Sequence, residues 1–132
     1  MNRKYLDEIG VRDRPDTWCE NEEDPREERW KIERETYGFD SRETWSLDFS
    51  FYLWLYERVK MYRDIAIDVV DLNFHKFDYE NEKYSQLELI DLLLQKLEFR
   101  LSSDYNDFDE AHVKESYKIA EIWGLILPAM WW

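Results

Sequence analysis

The sequence predicts an all-α fold: three long helices in a small bundle, with one or two short helices and a minor β-hairpin between residues 71 and 84. Three observations carry this. Apolar residues recur at three- and four-residue steps over three long stretches. The later stretches open on capping chemistry. Aromatic residues make up 17% of the 132 residues, which gives a packed core enough apolar area despite 37% charged residues. A chain of this length supports one core. Residues 1–23 read as an irregular acidic N-terminal arm and residues 24–132 as the helical domain.

Along the arm, charged and apolar residues alternate without a sustained period, with Pro15 among them. Tyr5, Ile9, Val11 and Trp18 are too apolar for a purely solvated tail, so part of the arm is expected to lie on the core or on a partner. Asp24 followed by Pro25 forms an N-cap with proline at the first helical position, and Glu27 and Glu28 suit the positive end of the helix dipole. A short helix from about Pro25 to Thr36 follows, stopped by Gly38, which accepts the left-handed conformation that ends helices.

The strongest helical signal starts at Ser46. Leu47, Phe51, Trp54, Leu55, Val59, Tyr62, Ile65, Ala66 and Val69 trace one face, and Phe49, Tyr52, Leu53 and Tyr56 widen it, which predicts a central helix packed on more than one side. Residues 71–84 lose that period and alternate around Phe74, Phe77 and Tyr79, as a short hairpin or ordered loop would; an isolated two-stranded hairpin is marginal and must lean on the helices. Ser85 and Glu88 form a capping box that opens a second long helix buried along Leu87, Ile90, Leu94, Leu97 and Leu101, with Leu93 beside them and Ser102 and Ser103 at its end. Asp107 and Glu110 repeat the pattern before a third long helix with inner face Val113, Tyr117, Ala120, Trp123 and Leu127, ended or kinked by Pro128.

No catalytic constellation emerges. Asp40, Glu43, Asp48, Glu57 and Asp64, with His75 downstream, form an acidic and aromatic region, but no Glu-x-x-His spacing accompanies them, so no metal site is expected. His75 and His112 are the only histidines and neither stands in an acid–base motif. Cys19, the single cysteine, lacks the basic neighbours that activate a thiol, and alone it forms no intramolecular disulfide; it fits a reducing cytoplasm. Gly10, Gly38 and Gly124 are too scattered for a phosphate-cradling loop. No cofactor and no enzymatic activity are expected. The segment from Met1 to Lys4 precedes no apolar signal region, and no stretch approaches the roughly 18 apolar residues of a membrane span, so neither secretion nor membrane association is expected.

The net charge is −13, from 31 acidic and 18 basic residues. Such a chain repels phosphate backbones, which disfavours direct nucleic-acid binding, and its electrostatic complement is a basic partner surface; the same charge also serves solubility alone. Trp54 and Trp123 lie at core spacing. Trp18, Trp131 and Trp132 lie outside it and are candidates for a contact surface, where aromatics are enriched. Glu20, Glu22, Glu23, Asp24, Glu27 and Glu28, together with Asp104, Asp107 and Asp109, are the acidic clusters expected to touch a basic partner.

The stretch Tyr37 to Asp48 (YGFDSRETWSLD), running into Phe51 to Tyr62 (FYLWLYERVKMY), resembles small acidic helical proteins of unknown function encoded in bacteriophage and prophage genomes. Those proteins share a Gly-Phe-Asp opening followed by a tryptophan and a Leu-Asp pair. The likeness continues through Leu89 to Asp91 and Ile119 to Gly124. It implies that Trp45, Leu47 and Asp48 form the capped start of a central helix, and it brings no catalytic residue. It further implies a non-enzymatic phage-type protein in the cytoplasm of a bacterial host that binds another protein. The sharper expectation is inhibition of a host nucleic-acid-targeting defence system, anti-CRISPR-like or by DNA mimicry, with a basic nucleic-acid enzyme as partner. The alternative is a homo-oligomeric structural or regulatory phage assembly protein, joined through the apolar terminus and the hairpin.

Overall fold

Five helices and one small antiparallel hairpin make up the computed structural model, which describes residues 3–15, 17–18, 23–102 and 110–132. The helices are α1 (Lys4–Glu8), α2 (Glu27–Tyr37), α3 (Leu47–Ala66), α4 (Gln86–Ser102) and α5 (Glu110–Ile126). The hairpin strands are β1 (Lys76–Tyr79) and β2 (Glu82–Ser85), and 3₁₀ turns occupy Ser41–Thr44 and Leu127–Ala129. Among the described residues, no helix is long and apolar enough to cross a membrane. The chain divides into two compact units, Met1–Leu55 and Tyr56–Trp132, with the division inside α3.

In the first unit, the arm expected to be irregular holds α1. Leu6 on that helix is fully buried, and the Val11 amide closes the turn after it by donating to the Leu6 carbonyl at 3.0 Å. Leu6 carried no period that marked it as core; one helical turn is too short to show one. Helix α2 starts at Glu27, two residues after the expected Pro25, because Asp24 caps the preceding turn: its carboxylate accepts from the Arg26 amide at 2.9 Å. The helix ends at Gly38, whose φ of 84° is left-handed and whose amide donates to the Arg34 carbonyl at 2.9 Å. A Cβ at Gly38 would meet no atom within 4 Å. Gly38→Ala is therefore expected to cost only the backbone penalty of that conformation, about 1–2 kcal/mol. Urea unfolding reads the change, and an unaltered midpoint would contradict it.

Helix α3 begins where the sequence places it, but its buried face differs. Tyr52, Leu53 and Leu55 in the first unit, and Tyr56, Val59 and Ala66 in the second, are buried, whereas Leu47, Phe51 and Trp54 are exposed. The first turns of α3 are apolar nearly all the way round, so spacing selects the helix without selecting which side faces inward.

In the second unit the capping box forms as expected. The Glu88 amide donates to Ser85 Oγ at 3.1 Å, and the Ser85 amide donates to Glu88 Oε1 at 3.0 Å. Helix α4 buries Leu89, Ile90, Leu93, Leu94, Leu97 and Leu101, with Leu87 only half-buried, and packs against α5. Helix α5 buries Ile119, Ile122 and Ile126, not the expected Val113, Tyr117, Ala120, Trp123 and Leu127. The two sets differ by one position, a rotation of about 100°. The isoleucine line presents no polar atom, while Tyr117 and Trp123 carry an OH and an NH that prefer a wetter setting. Helix α5 stops at Ile126, and Pro128 sits in the 3₁₀ turn that follows.

The hairpin sits at 76–85, within and just beyond the expected segment. Glu80 and Asn81 at its tip both take positive φ, 50° and 64°, the signature of the tight turn that matches strand twist. It leans on helices, as a hairpin of two four-residue strands must: β1 lies against α5 and β2 against α4. The Leu87 amide donates to the Leu72 carbonyl at 3.0 Å, and Lys118 reaches Glu80 at 3.5 Å, tying the tip to α5.

Candidate functional site

The stretch from Tyr37 to Asp48 carries a dense polar cluster within the first unit. Asp40 and Arg42 are each only 5% exposed. Asp40 follows the Gly38 helix stop in extended conformation and caps the 3₁₀ turn, accepting from the Arg42 amide at 3.0 Å. Its two oxygens then meet the Arg42 fork, Nε at 3.0 Å and Nη2 at 2.7 Å, while Arg34 Nη1 donates at 2.8 Å. Arg34 also donates to Glu27 at 2.6 Å, and Glu33 accepts from the Ser41 amide at 2.7 Å. One carboxylate thus binds the end of α2 to the turn that leads into α3.

Tryptophans close the cluster. The Arg42 guanidinium lies 4.1 Å from the Trp30 ring centre, Arg26 lies 4.9 Å from it, and Trp45 meets Trp30 edge-on at 6.0 Å. Arg42 also donates to the Trp18 carbonyl, and Trp18 Nε1 donates to Asp13 at 2.6 Å. Guanidinium groups over indole faces gain most when desolvated, as Arg42 is here.

Burial alone would raise the Asp40 carboxyl, but the hydrogen bonds from Arg42 and Arg34 outweigh it and hold it below the ordinary 3.8. Glu33 is lowered from 4.5 chiefly by the Ser41 backbone hydrogen bond, and Asp24 is lowered by Arg26. A carboxyl depressed in the folded state stabilises it at pH above the ordinary value, and that stabilisation is lost as pH falls through the folded value. Glu43 shifts the other way, raised by burial and then by the Asp40 charge, so its ionisation opposes folding as pH rises. With Asp7, also lowered by its hydrogen bond from Arg14, four depressed groups outnumber it, and the first unit is expected to weaken below about pH 4. Urea midpoints at pH 7 and pH 3, read by tryptophan emission, test this; equal midpoints would contradict it. In the second unit, burial and then Glu80, Glu121 and Glu115 push the Tyr79 phenol up to about 12, which keeps it protonated at neutral pH.

The acidic residues singled out in the sequence fall into three groups. Asp24 is half-buried and paired with Arg26, and Glu27 is half-buried and paired with Arg34, so both are engaged inside the first unit. Glu23 and Glu28 are exposed. Glu20, Glu22, Asp104, Asp107 and Asp109 lie outside the described residues, as do Cys19 and Ser103. Trp18 is half-buried and held by the contacts above. Trp131 and Trp132 are 65% and 62% exposed, although the Trp131 carbonyl accepts from Tyr62 at 3.0 Å and the Ala129 carbonyl from the buried Gln86 at 3.1 Å. The last residues are thus pinned through their backbone with both indoles turned outward.

Sequence reasoning missed Arg34, Arg42 and Trp30. The signal was an arginine six residues before Asp40 and another two after it, with a helix-stopping glycine between, which brings both cations back onto one carboxylate. It also missed the exposed side of α3. The charge excess is spread over both units, with nine basic against fifteen acidic residues up to Leu55 and nine against sixteen after it. Many cations are already engaged by the chain's own carboxylates: Arg14 with Asp7, Arg29 with Glu33, Arg63 with Asp91, Lys83 with Asp78, Lys96 with Glu115 and Lys114 with Glu110. No protein-family model, no curated protein and no solved structure matches the chain.

Proposed function

We propose that this chain is a non-enzymatic, phage-type protein that binds the basic surface of another protein, and that it inhibits a host nucleic-acid-targeting defence system by presenting negative charge where nucleic acid would sit. The observation that carries the reading is the acidic excess of each unit, with many of the cations held in internal ion pairs. An approaching partner therefore meets a surplus of carboxylates from either unit, and a cationic cleft built for phosphates is its complement. The Asp40 cluster serves this reading as scaffold: its charges are spent on one another and hold α2 and the start of α3 in place.

The test is capture from nuclease-treated bacterial lysate followed by elution with rising salt. The expected result is a basic nucleic-acid enzyme that, once purified, rebinds at low salt and loses its nucleic acid in competition with this protein. An affinity indifferent to salt between low and physiological ionic strength would overturn the electrostatic reading. The outward Trp131 and Trp132 favour a second reading, homo-oligomeric assembly, which a strictly monomeric mass at high micromolar concentration would overturn.

A further inference from the structure

Within the first unit, α3 exposes large apolar side chains in register. Leu47, Phe51 and Trp54 follow four- and three-residue steps, which place them on one side of the helix, and they are 64%, 39% and 45% exposed. Phe51 and Trp54 stack, with ring centres 6.2 Å apart and planes 15° from parallel. The flanks and far side of the same turns are filled by the buried Tyr52, Leu53 and Leu55, so the helix is already anchored without the outer ridge. Single exposed apolar residues are ordinary, but a contiguous ridge of three large ones marks a contact surface.

What covers it follows from charge. The unit that carries the ridge has fifteen acidic against nine basic residues, and the exposed Asp48 lies one residue along from Leu47. A second copy of this chain would bring the same negative excess against itself, which association must overcome. A cationic partner gains on both counts. We infer that the Leu47, Phe51 and Trp54 ridge of α3 is the docking surface for an amphipathic, basic helical segment of another protein, whose apolar side chains pack against the ridge while its lysines and arginines are drawn by the net negative charge of the unit. Helix-on-helix recognition suits the observation, because three- and four-residue ridges interdigitate with the equivalent grooves of a partner helix. This rests on the basic-partner reading above and assigns it a place on the molecule.

The test uses the full chain and a synthetic peptide of about 18 residues, five helical turns, with a leucine stripe flanked by lysines. A scrambled peptide of the same composition, and hence the same charge, is the control. Calorimetric titration at low salt is expected to show the patterned peptide binding more tightly than the scrambled one. The Leu47→Ser/Trp54→Ser variant is expected to lose about tenfold or more of that preference. Circular dichroism and a urea midpoint confirm that the variant folds. If it does not, Leu47→Lys substitutes for it, placing a cation at the most exposed position of the ridge. Equal binding of both peptides, unchanged in the variant, would sink the ridge while leaving the electrostatic reading intact. No binding of either peptide would overturn both. Sedimentation showing a dimer that the variant abolishes would assign the ridge to a second copy and overturn the inference.

Discussion

Asp40→Ala is expected to lower the unfolding free energy by about 3–5 kcal/mol, because removing one member of a buried ion pair leaves the other buried without that counter-charge. Arg42 is the residue left behind. At 5% exposure it cannot rehydrate without opening the 3₁₀ turn, and the same carboxylate that pairs with it also caps that turn and holds Arg34. The loss therefore couples three contacts, and the effect should exceed that of any exposed pair. Lys83 with Asp78 is the natural comparison, since both side chains are about three-quarters exposed. Breaking it is expected to change stability by less than about 1 kcal/mol. Urea unfolding followed through tryptophan emission reads the change where it happens, because Trp30 and Trp45 lie against the cluster. A loss for Asp40→Ala no larger than for Asp78→Ala would mean that the network is bypassed by water. The double variant Asp40→Leu/Arg42→Met separates charge from shape. Replacing both members of a buried pair with apolar groups is often neutral, so it should recover much of the loss if uncompensated charge is the cause.

The Asp40 network shows why parts of this molecule were illegible in its sequence. Local chemistry read well. Gly38 as a helix stop, the Ser85 and Glu88 capping box and a short hairpin ahead of α4 each depend on residues within a few positions of one another, and each formed. Long-range choices read poorly. Asp40 and Arg42 look like two more solvated charges among many, and only the fold brings Arg34 back beside them with Trp30 as a lid. Aromatic abundance obscured the faces of the helices in a different way. On α3, Phe51 and Trp54 satisfy a core-facing pattern as well as Tyr52 and Leu55 do, and which set turns inward depends on what the rest of the unit supplies. The arm failed for a third reason, since five residues of α1 cannot display a period at all.

The same reasoning bears on the acidic surface. Of the clusters expected to meet a basic partner, Asp24 and Glu27 turned out to hold arginines of their own chain, whereas Glu28 is exposed. Sequence counting weighs them equally, but a carboxylate already paired offers a partner less, because the new contact must compete with the old one. A graded effect on partner binding follows, with Glu28 mattering more than Asp24.

Ile122→Ala is expected to destabilise the protein by about 2–5 kcal/mol, through lost transfer energy and the cavity left behind. Tyr117→Ala, one of the positions that the spacing of α5 places inward, is expected to change stability by about 0.5 kcal/mol or less. The contrast tests the orientation of α5 directly. Ile122 has no exposed surface, and with Ile119 and Ile126 it forms the line that faces the interior, while Tyr117 is 70% exposed. The two sides of the helix carry similar apolar area in sequence, but they differ in how fully that area can be dried. An isoleucine buries completely at no polar cost, whereas a tyrosine placed inward must find a partner for its hydroxyl or lose its hydration. With three isoleucines at the right steps, the orientation that buries them wins, and Tyr117 is left at the surface. If the two substitutions instead had equal effects, α5 would be packed on both sides, and the outward face of that helix would need a covering partner of its own.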